Sequence, residues 1–355
     1  MDEDDRRPRR WPPTSRCGRR RSVLTKRLLS AAALGLVPLV LAVSPAGAAP
    51  STSTANWVEL HPATKPPPST GAVMAYDAAT KQLIRFGGYA KGVLNQTWLW
   101  TGSNWQELHP STSPSARRNA AMAFDPHADQ LILYGGQNRN NGDESDTWTW
   151  TGSDWKELHP ATRPSNRDRS LMGFDPHSNQ LILFGGYEGP IPVHDTWAWT
   201  GSDWKDLNVA TGPFSSRGEM AYYSAQQQLV LFDDVGERIF TFNGTDWVTH
   251  YPAGHPYGRS NGTMAYDPHI GQLVLVGGGN ADHPFQDDTW TWNGTTWARL
   301  PTEVNPPPRW HASMAYDEST GQLILFGGFD SQSKDLDDTW TLKSTSAGGA
   351  TAANP

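Results

Sequence analysis

One phrase recurs six times along this chain and restricts its fold more than any other feature. Its head reads Met74-Ala75-Tyr76-Asp77, Met122-Ala123-Phe124-Asp125, Met172-Gly173-Phe174-Asp175, Met220-Ala221-Tyr222-Tyr223, Met264-Ala265-Tyr266-Asp267 and Met314-Ala315-Tyr316-Asp317. Successive heads are 48, 50, 48, 44 and 50 residues apart. Thirteen residues after the Met comes a Gly pair, at 87–88, 135–136, 185–186, 277–278 and 327–328, whereas the fourth copy has Asp233-Asp234. Self-similarity at such a period marks a repeat architecture, in which each unit buries its apolar face against its neighbours.

Each unit reads as four short strands. In the second, residues 120–125 form one strand, 126–129 a turn, and 130–134 an apolar strand ended by the Gly pair. Residues 147–150, Thr-Trp-Thr-Trp, alternate polar and aromatic with the period of two that a strand demands. After a Thr-Gly-Ser turn, 154–158 supply a fourth strand. Six such units predict an all-β, six-bladed β-propeller of four-stranded antiparallel blades. The sixth repeat stops after its third strand at residues 339–342, while the segment from Asn56 to Pro62 matches a fourth strand. The N-terminal strand is therefore expected to complete the last blade and close the ring, which removes two open sheet edges.

At this point the chain resembles the kelch-repeat family over residues 56–342. The resemblance rests on the Gly pairs after an apolar strand, the Tyr or Phe that follows in three copies (Tyr89, Tyr187, Phe329), and the third-strand Trp (Trp98, Trp148, Trp197, Trp290, Trp340). Arg309-Trp310-His311 fits the family's Arg-x-His lead-in. It implies a propeller that is mostly a binding platform, since one fold hosts many functions. The propeller of galactose oxidase-like proteins is similar too, but their copper-radical cofactor needs a cysteine cross-linked to a tyrosine. The lone cysteine, Cys17, lies in the first 48 residues.

Those residues read as a signal peptide: a basic stretch at 19–26, a 16-residue apolar run from Leu28 to Val43, and Ala46-Gly47-Ala48 as the small-residue cleavage pattern. The run is short for a spanning helix. Arg20-Arg21-Ser22-Val23-Leu24 resembles a twin-arginine export signal, with Val23 where that motif prefers Phe. A propeller over 49–343 and a flexible Ala/Gly/Ser/Thr-rich tail over 344–355 are expected to follow. Residues 1–48 hold ten Lys/Arg against four Asp/Glu, so their removal takes the formal charge from −7 to −13. That balance argues against nucleic acid or an anionic membrane as partner. The expectation is a secreted or periplasmic bacterial protein, monomeric, with no stable membrane insertion.

Antiparallel blades put the first–second and third–fourth turns on one face. The second–third loops and the blade-to-blade crossings go on the other. The turns are tight and repetitive (Asp-Pro-His at 125–127, 175–177 and 267–269), so their face reads as structural. The variable loops of the opposite face are where binding is expected. Five residues before the head Met stand Arg117, Arg167, Arg259 and Arg309, with Ser69 and Ser215 in blades one and four. At the channel mouth such guanidinium groups are candidates for a bound carboxylate. The competing architectural role ties each Arg to a neighbouring blade's carboxylate. Trp310 and His311 are candidate ligand contacts, Trp310 by stacking on a sugar ring. Arg217 and Glu219, two apart and so on one side of a strand, are weak catalytic candidates for acid/base chemistry on a sugar, as in epimerase- or mutarotase-like kelch proteins. Asp143, Glu144, Asp335 and Asp337 are weak metal candidates without a recognised loop. The recurrent Asp before Thr-Trp (Asp146, Asp195, Asp288, Asp338) is expected to bond backbone amides. The reading is a module that binds a protein or glycan, acidic in character, with no cofactor. The rivals are a carbohydrate-active enzyme at Arg217 and Glu219, and a purely structural extracytoplasmic part.

Overall fold

The computed structural model describes residues 54–213, 218–233 and 238–345. The expected signal segment, Arg217, Asp234 and the tail from 346 lie outside these residues. The chain forms six four-stranded antiparallel sheets. Blade one is Val73–Asp77, Gln82–Phe86, Thr97–Trp100 and Trp105–Leu108; blade two is Ala121–Asp125, Gln130–Tyr134, Thr147–Trp150 and Trp155–Leu158. Blade three is Leu171–Asp175, Gln180–Phe184, Thr196–Trp199 and Trp204–Asp206; blade four is Gly218–Tyr223, Gln228–Asp233, Ile239–Phe242 and Trp247–His250. Blade five is Ser260–Asp267, Gln272–Gly279, Thr289–Trp292 and Trp297–Arg299; blade six is Ser313–Asp317, Gln322–Phe326 and Thr339–Thr345, completed by Thr54–Leu60. The first strand of each blade touches those of both neighbours, the sixth touching the first, so the ring is a closed β-propeller.

The closing strand pairs from Leu60↔Thr339 to Thr54↔Thr345, which extends the propeller two residues beyond 343. Its Trp57 is 2% exposed, and Nε1 donates to Thr289 Oγ1 of blade five at 2.9 Å. That bond repeats around the ring. Trp105, Trp155, Trp204 and Trp247 donate at 2.9–3.1 Å to Thr339, Thr97, Thr147 and Thr196 of the preceding blade. Blade four has Ile239 at that place, and Trp297 Nε1 finds no partner among the described residues. Five of the fourth-strand indoles also meet a second-strand ring of the preceding blade edge-on, as in Phe86–Trp155 and Tyr134–Trp204 at 5.2 and 5.3 Å; Trp57 faces blade five, which has Val276 at that place. A core built between blades, with aromatic pairs that prefer edge contact, explains why Trp recurs with the repeat.

The remaining repeat residues have equally local causes. The head Asp caps the first hairpin: Asp125 accepts from His127 N–H at 2.9 Å and Asp317 from Ser319 N–H at 2.9 Å. The Gly pair sits at positive φ, 65° and 99° at Gly135 and Gly136. A Cβ on Gly135 would stand 2.6 Å from Arg167 O, so the next blade's lead-in can pass only over a glycine. Gly136 N–H then bonds that same carbonyl at 2.9 Å.

Candidate functional site

The arginines at the lead-ins are consumed inside the blades. Arg117, Arg167, Arg259 and Arg309 are 0–2% exposed. Arg117 holds Asp146 with both guanidinium ends, at 2.5 and 2.7 Å, and Arg309 holds Asp338 at 2.8 and 2.6 Å. Arg167–Asp195 and Arg259–Asp288 repeat the arrangement. The carboxylate belongs to the same blade, not to a neighbour, and its second task is to accept from the third-strand Trp, as Asp146 does from Trp148 at 2.7 Å. So the Asp before Thr-Trp takes most of its bonds from side chains, and at Asp146, Asp195 and Asp338 one from its own backbone amide besides. Burial alone would raise these four carboxyls, but the Arg bonds and charge outweigh it and hold them below the usual range.

Blades one and four solve the same problem differently. In blade one Ser69 replaces the Arg and Gln96 the Asp; Arg85, from the second strand, fills the gap and donates to Ser69 Oγ at 2.7 Å. Burial pushes its guanidinium down to about 9. Arg85 Nε, Gln96 Oε1 and Trp98 Nε1 have no partner among the described residues. In blade four the pair is built from other positions: Arg238 stands just before the third strand, where other blades have the Asp, and pairs at 2.6 Å with Asp233, which occupies the first place of the Gly pair.

Two residues beyond each lead-in Arg lies the narrow end of the central channel. Gly71, Asn119, Arg169, Asn261 and His311 all have φ between 53° and 64° there. Their backbones join from blade to blade: Asn119 N–H donates to Gly71 O at 2.7 Å, Arg169 to Asn119 at 2.8 Å, Gly71 to His311 at 3.0 Å and His311 to Asn261 at 2.8 Å. Arg217, at the same spacing in the fourth repeat, lies outside the described residues. A pocket of about 140 Å³ lies within this annulus, lined among others by Arg169, Glu219 and His311. Glu219 accepts a bond from the Gly262 backbone, and burial raises its carboxyl well above the usual range. Burial, aided by Arg169 and Arg118, lowers His311 to about 4. The structure thus brings His311 and Glu219 to one pocket. Trp310 instead stacks on Phe285 at 5.0 Å and meets Phe329 edge-on at 5.9 Å, beside the His311 ring.

Three of the four acidic candidates have separate partners. Asp143 accepts from Gly189 N–H at 2.6 Å, Glu144 from Asn138 Nδ2 at 3.0 Å, and Asp337 pairs with Lys65 at 2.9 Å. Asp335 is half-buried, and burial raises its carboxyl. Among the described residues no three His, Cys, Asp or Glu side chains gather as metal ligands would.

The larger cavity opens at the opposite end, among the first–second turns that read as structural in the sequence. It holds about 720 Å³ and is lined by the head phrases themselves. Along the first strands toward the turns the lining runs from Met (Met74, Met122, Met172, Met264 and Met314) through small Ala and Gly residues to an outer tier of Tyr76, Phe124, Phe174, Tyr222, Tyr266 and Tyr316, all half-buried. The size lies within the roughly 300–1,000 Å³ of ligand sites and the lining is mostly apolar, as such sites are. The signal was present in the sequence, an aromatic at the third place of every head, but it is identical to that of a packed core strand. No protein-family model matches the chain, and no curated protein does.

Proposed function

We propose that the protein is a ligand-binding propeller that takes its ligand in the wide, aromatic end of the central channel. The observation that carries this reading is the cavity of about 720 Å³ whose outer tier is six half-buried aromatic rings, one from each blade. Closed blade-to-blade packing makes the wall rigid, so little ordering cost is left for binding. The kelch-like repeat pattern, in a family of mostly binding platforms, supports the same reading. The basic-apolar-small pattern of residues 19–48 supports an exported protein. The loop-face arginines contribute architecture, because each guanidinium is committed to its own carboxylate.

A second reading has Glu219 as a general acid at the narrow end, favoured by its raised carboxyl beside His311. A pocket of about 140 Å³ is below the roughly 300 Å³ of usual ligand sites, so binding at the wide end is the better account.

Titration of the full chain with a neutral, apolar fluorescent dye such as Nile red tests the proposal. We expect saturable binding of one dye per chain, weakened at least tenfold in Phe124→Ala and Tyr266→Ala and unchanged in Phe329→Ala at the other end. Unaltered affinity in both wide-end variants, with their melting behaviour retained, would refute it.

A further inference from the structure

The aromatic mouth has a charge as well as a shape, and this narrows the chemistry of its ligand. Glu318 is the one charged residue among the described lining, exposed at the rim. Behind the aromatic tier stand the head carboxylates, Asp77, Asp125, Asp175, Asp267 and Asp317, each 0–1% exposed. The basic side chains on the turns at this end, Lys81, His127, His177 and His269, do not line the cavity. His177 and His269 turn toward Asp175 and Asp267, at 3.3 Å. The same charges bear on the phenols. Burial first, then Glu318, Asp317 and Asp77, push Tyr76 up; burial, then Asp267, Glu318 and Asp317, do the same to Tyr316. At Tyr222 the charge behind burial is Asp175.

We infer that the wide end of the channel selects an organic cation, an ammonium group carrying an apolar body. The assignment rests on the binding reading above and specifies its ligand class. Six rings offer π-electron density to a cation within a low-dielectric wall, where such contacts are stronger than in water. The methyl groups of a quaternary ammonium need no hydrogen-bond partner, which an apolar lining does not supply. An anion would lose its hydration against Met, Ala and aromatic side chains, meet no guanidinium or ammonium in the lining, and face Glu318. The apolar body of the ligand reaches down to the Met tier, whose soft, adaptable side chains accept varied shapes.

Isothermal titration of the full chain with four probes decides the matter: benzyltrimethylammonium, benzyl alcohol, benzenesulfonate and methyl glucoside. We expect the cation to bind at least tenfold more tightly than the other three. Glu318→Gln should weaken the cation about threefold and leave benzyl alcohol unchanged. Tyr316→Leu, which retains bulk but removes the ring, should weaken the cation at least fivefold. Sulfonate, alcohol or glucoside binding as tightly as the cation would overturn the assignment and leave the cavity a binding site of another class. Cation binding that is indifferent to both substitutions would overturn it as well. Failure of all four probes together with Nile red would remove the binding reading itself.

Discussion

His311 offers the most exacting test of the channel's narrow end. It sits at φ 53° in the annulus, packed flat against Phe329 with ring centroids 6.0 Å apart, and its pKa of about 4 reflects burial, then the charges of Arg169 and Arg118. In the unfolded chain the imidazole titrates near 6.5. A folded pKa below the unfolded one means that the neutral ring stabilises the fold fully above pH 6.5 and that this contribution is lost as the pH falls toward 4. The difference of roughly 2.5 units corresponds to about 3 kcal/mol in all, of which about 2 kcal/mol is gone by pH 5. The variant to compare is His311→Asn, because Asn119 and Asn261 hold the same place in blades two and five at φ 54° and 63°. Asparagine tolerates that backbone, so the substitution removes the titration and keeps the annulus. Loss of the ring contact adds only a pH-independent offset. Glu219, whose raised carboxyl gives stability that is lost as the pH climbs above about 4.5 through its folded value, contributes alike to both proteins. Urea unfolding of the two proteins between pH 7.5 and pH 4.5 should show the stability gap shifting by ~2 kcal/mol in favour of the variant at pH 5. Parallel curves would show that the ring is solvated, and the account of His311 as a buried group beside Arg169 and Arg118 would fall.

Two further outcomes follow from the ion pairs. Asp338→Ala leaves the guanidinium of Arg309 buried without its carboxylate and the Trp340 indole, now 2.6 Å from Asp338, without an acceptor; a loss of about 3–5 kcal/mol by denaturant unfolding is expected. Conversely, the triple variant Ser69→Arg, Arg85→Leu and Gln96→Asp gives blade one the residues of blades two, three, five and six. By relieving a buried cation that has only Ser69 and the Phe326 ring, and no carboxylate, as partners, it should raise stability by ~2 kcal/mol, and a lowered melting midpoint would refute that reading.

The fold was legible in the sequence because each repeat residue answers a local demand. A blade must turn after its first strand, so Asp caps the hairpin. The next lead-in must cross closely, so Gly follows the second strand. Neighbouring blades must share a core, so Trp recurs on the third and fourth strands. The two incomplete ends at residues 56–62 and 339–342 made closure readable for the same reason. The buried Arg–Asp pairs were half legible: the arginines stood out by spacing, and so did Asp146 and its counterparts. That each pair lay within one blade was not readable, since strands some 29 residues apart meet only after the hairpins form.

The site was the least legible part, for a reason that lies in the symmetry of the fold. A functional residue usually announces itself by breaking a pattern, and the pattern-breakers here proved to be compensated locally. Arg85 stands in for the Arg missing at Ser69, and Arg238 with Asp233 forms an ion pair from other positions in blade four. The residues that line the large cavity break nothing. Tyr76 or Tyr316, taken alone, is an aromatic in a strand with a buried Met before it and a buried Asp after it, which is how a core strand reads. Only closure turns six such strands toward one axis, and with them six rings and the carboxylates behind them. The chemistry of the cavity is therefore a property of the ring rather than of any blade. Repetition, which argues for an architectural role at the arginines because each carries its own partner, argues for binding at the aromatics, because all six line one shared cavity.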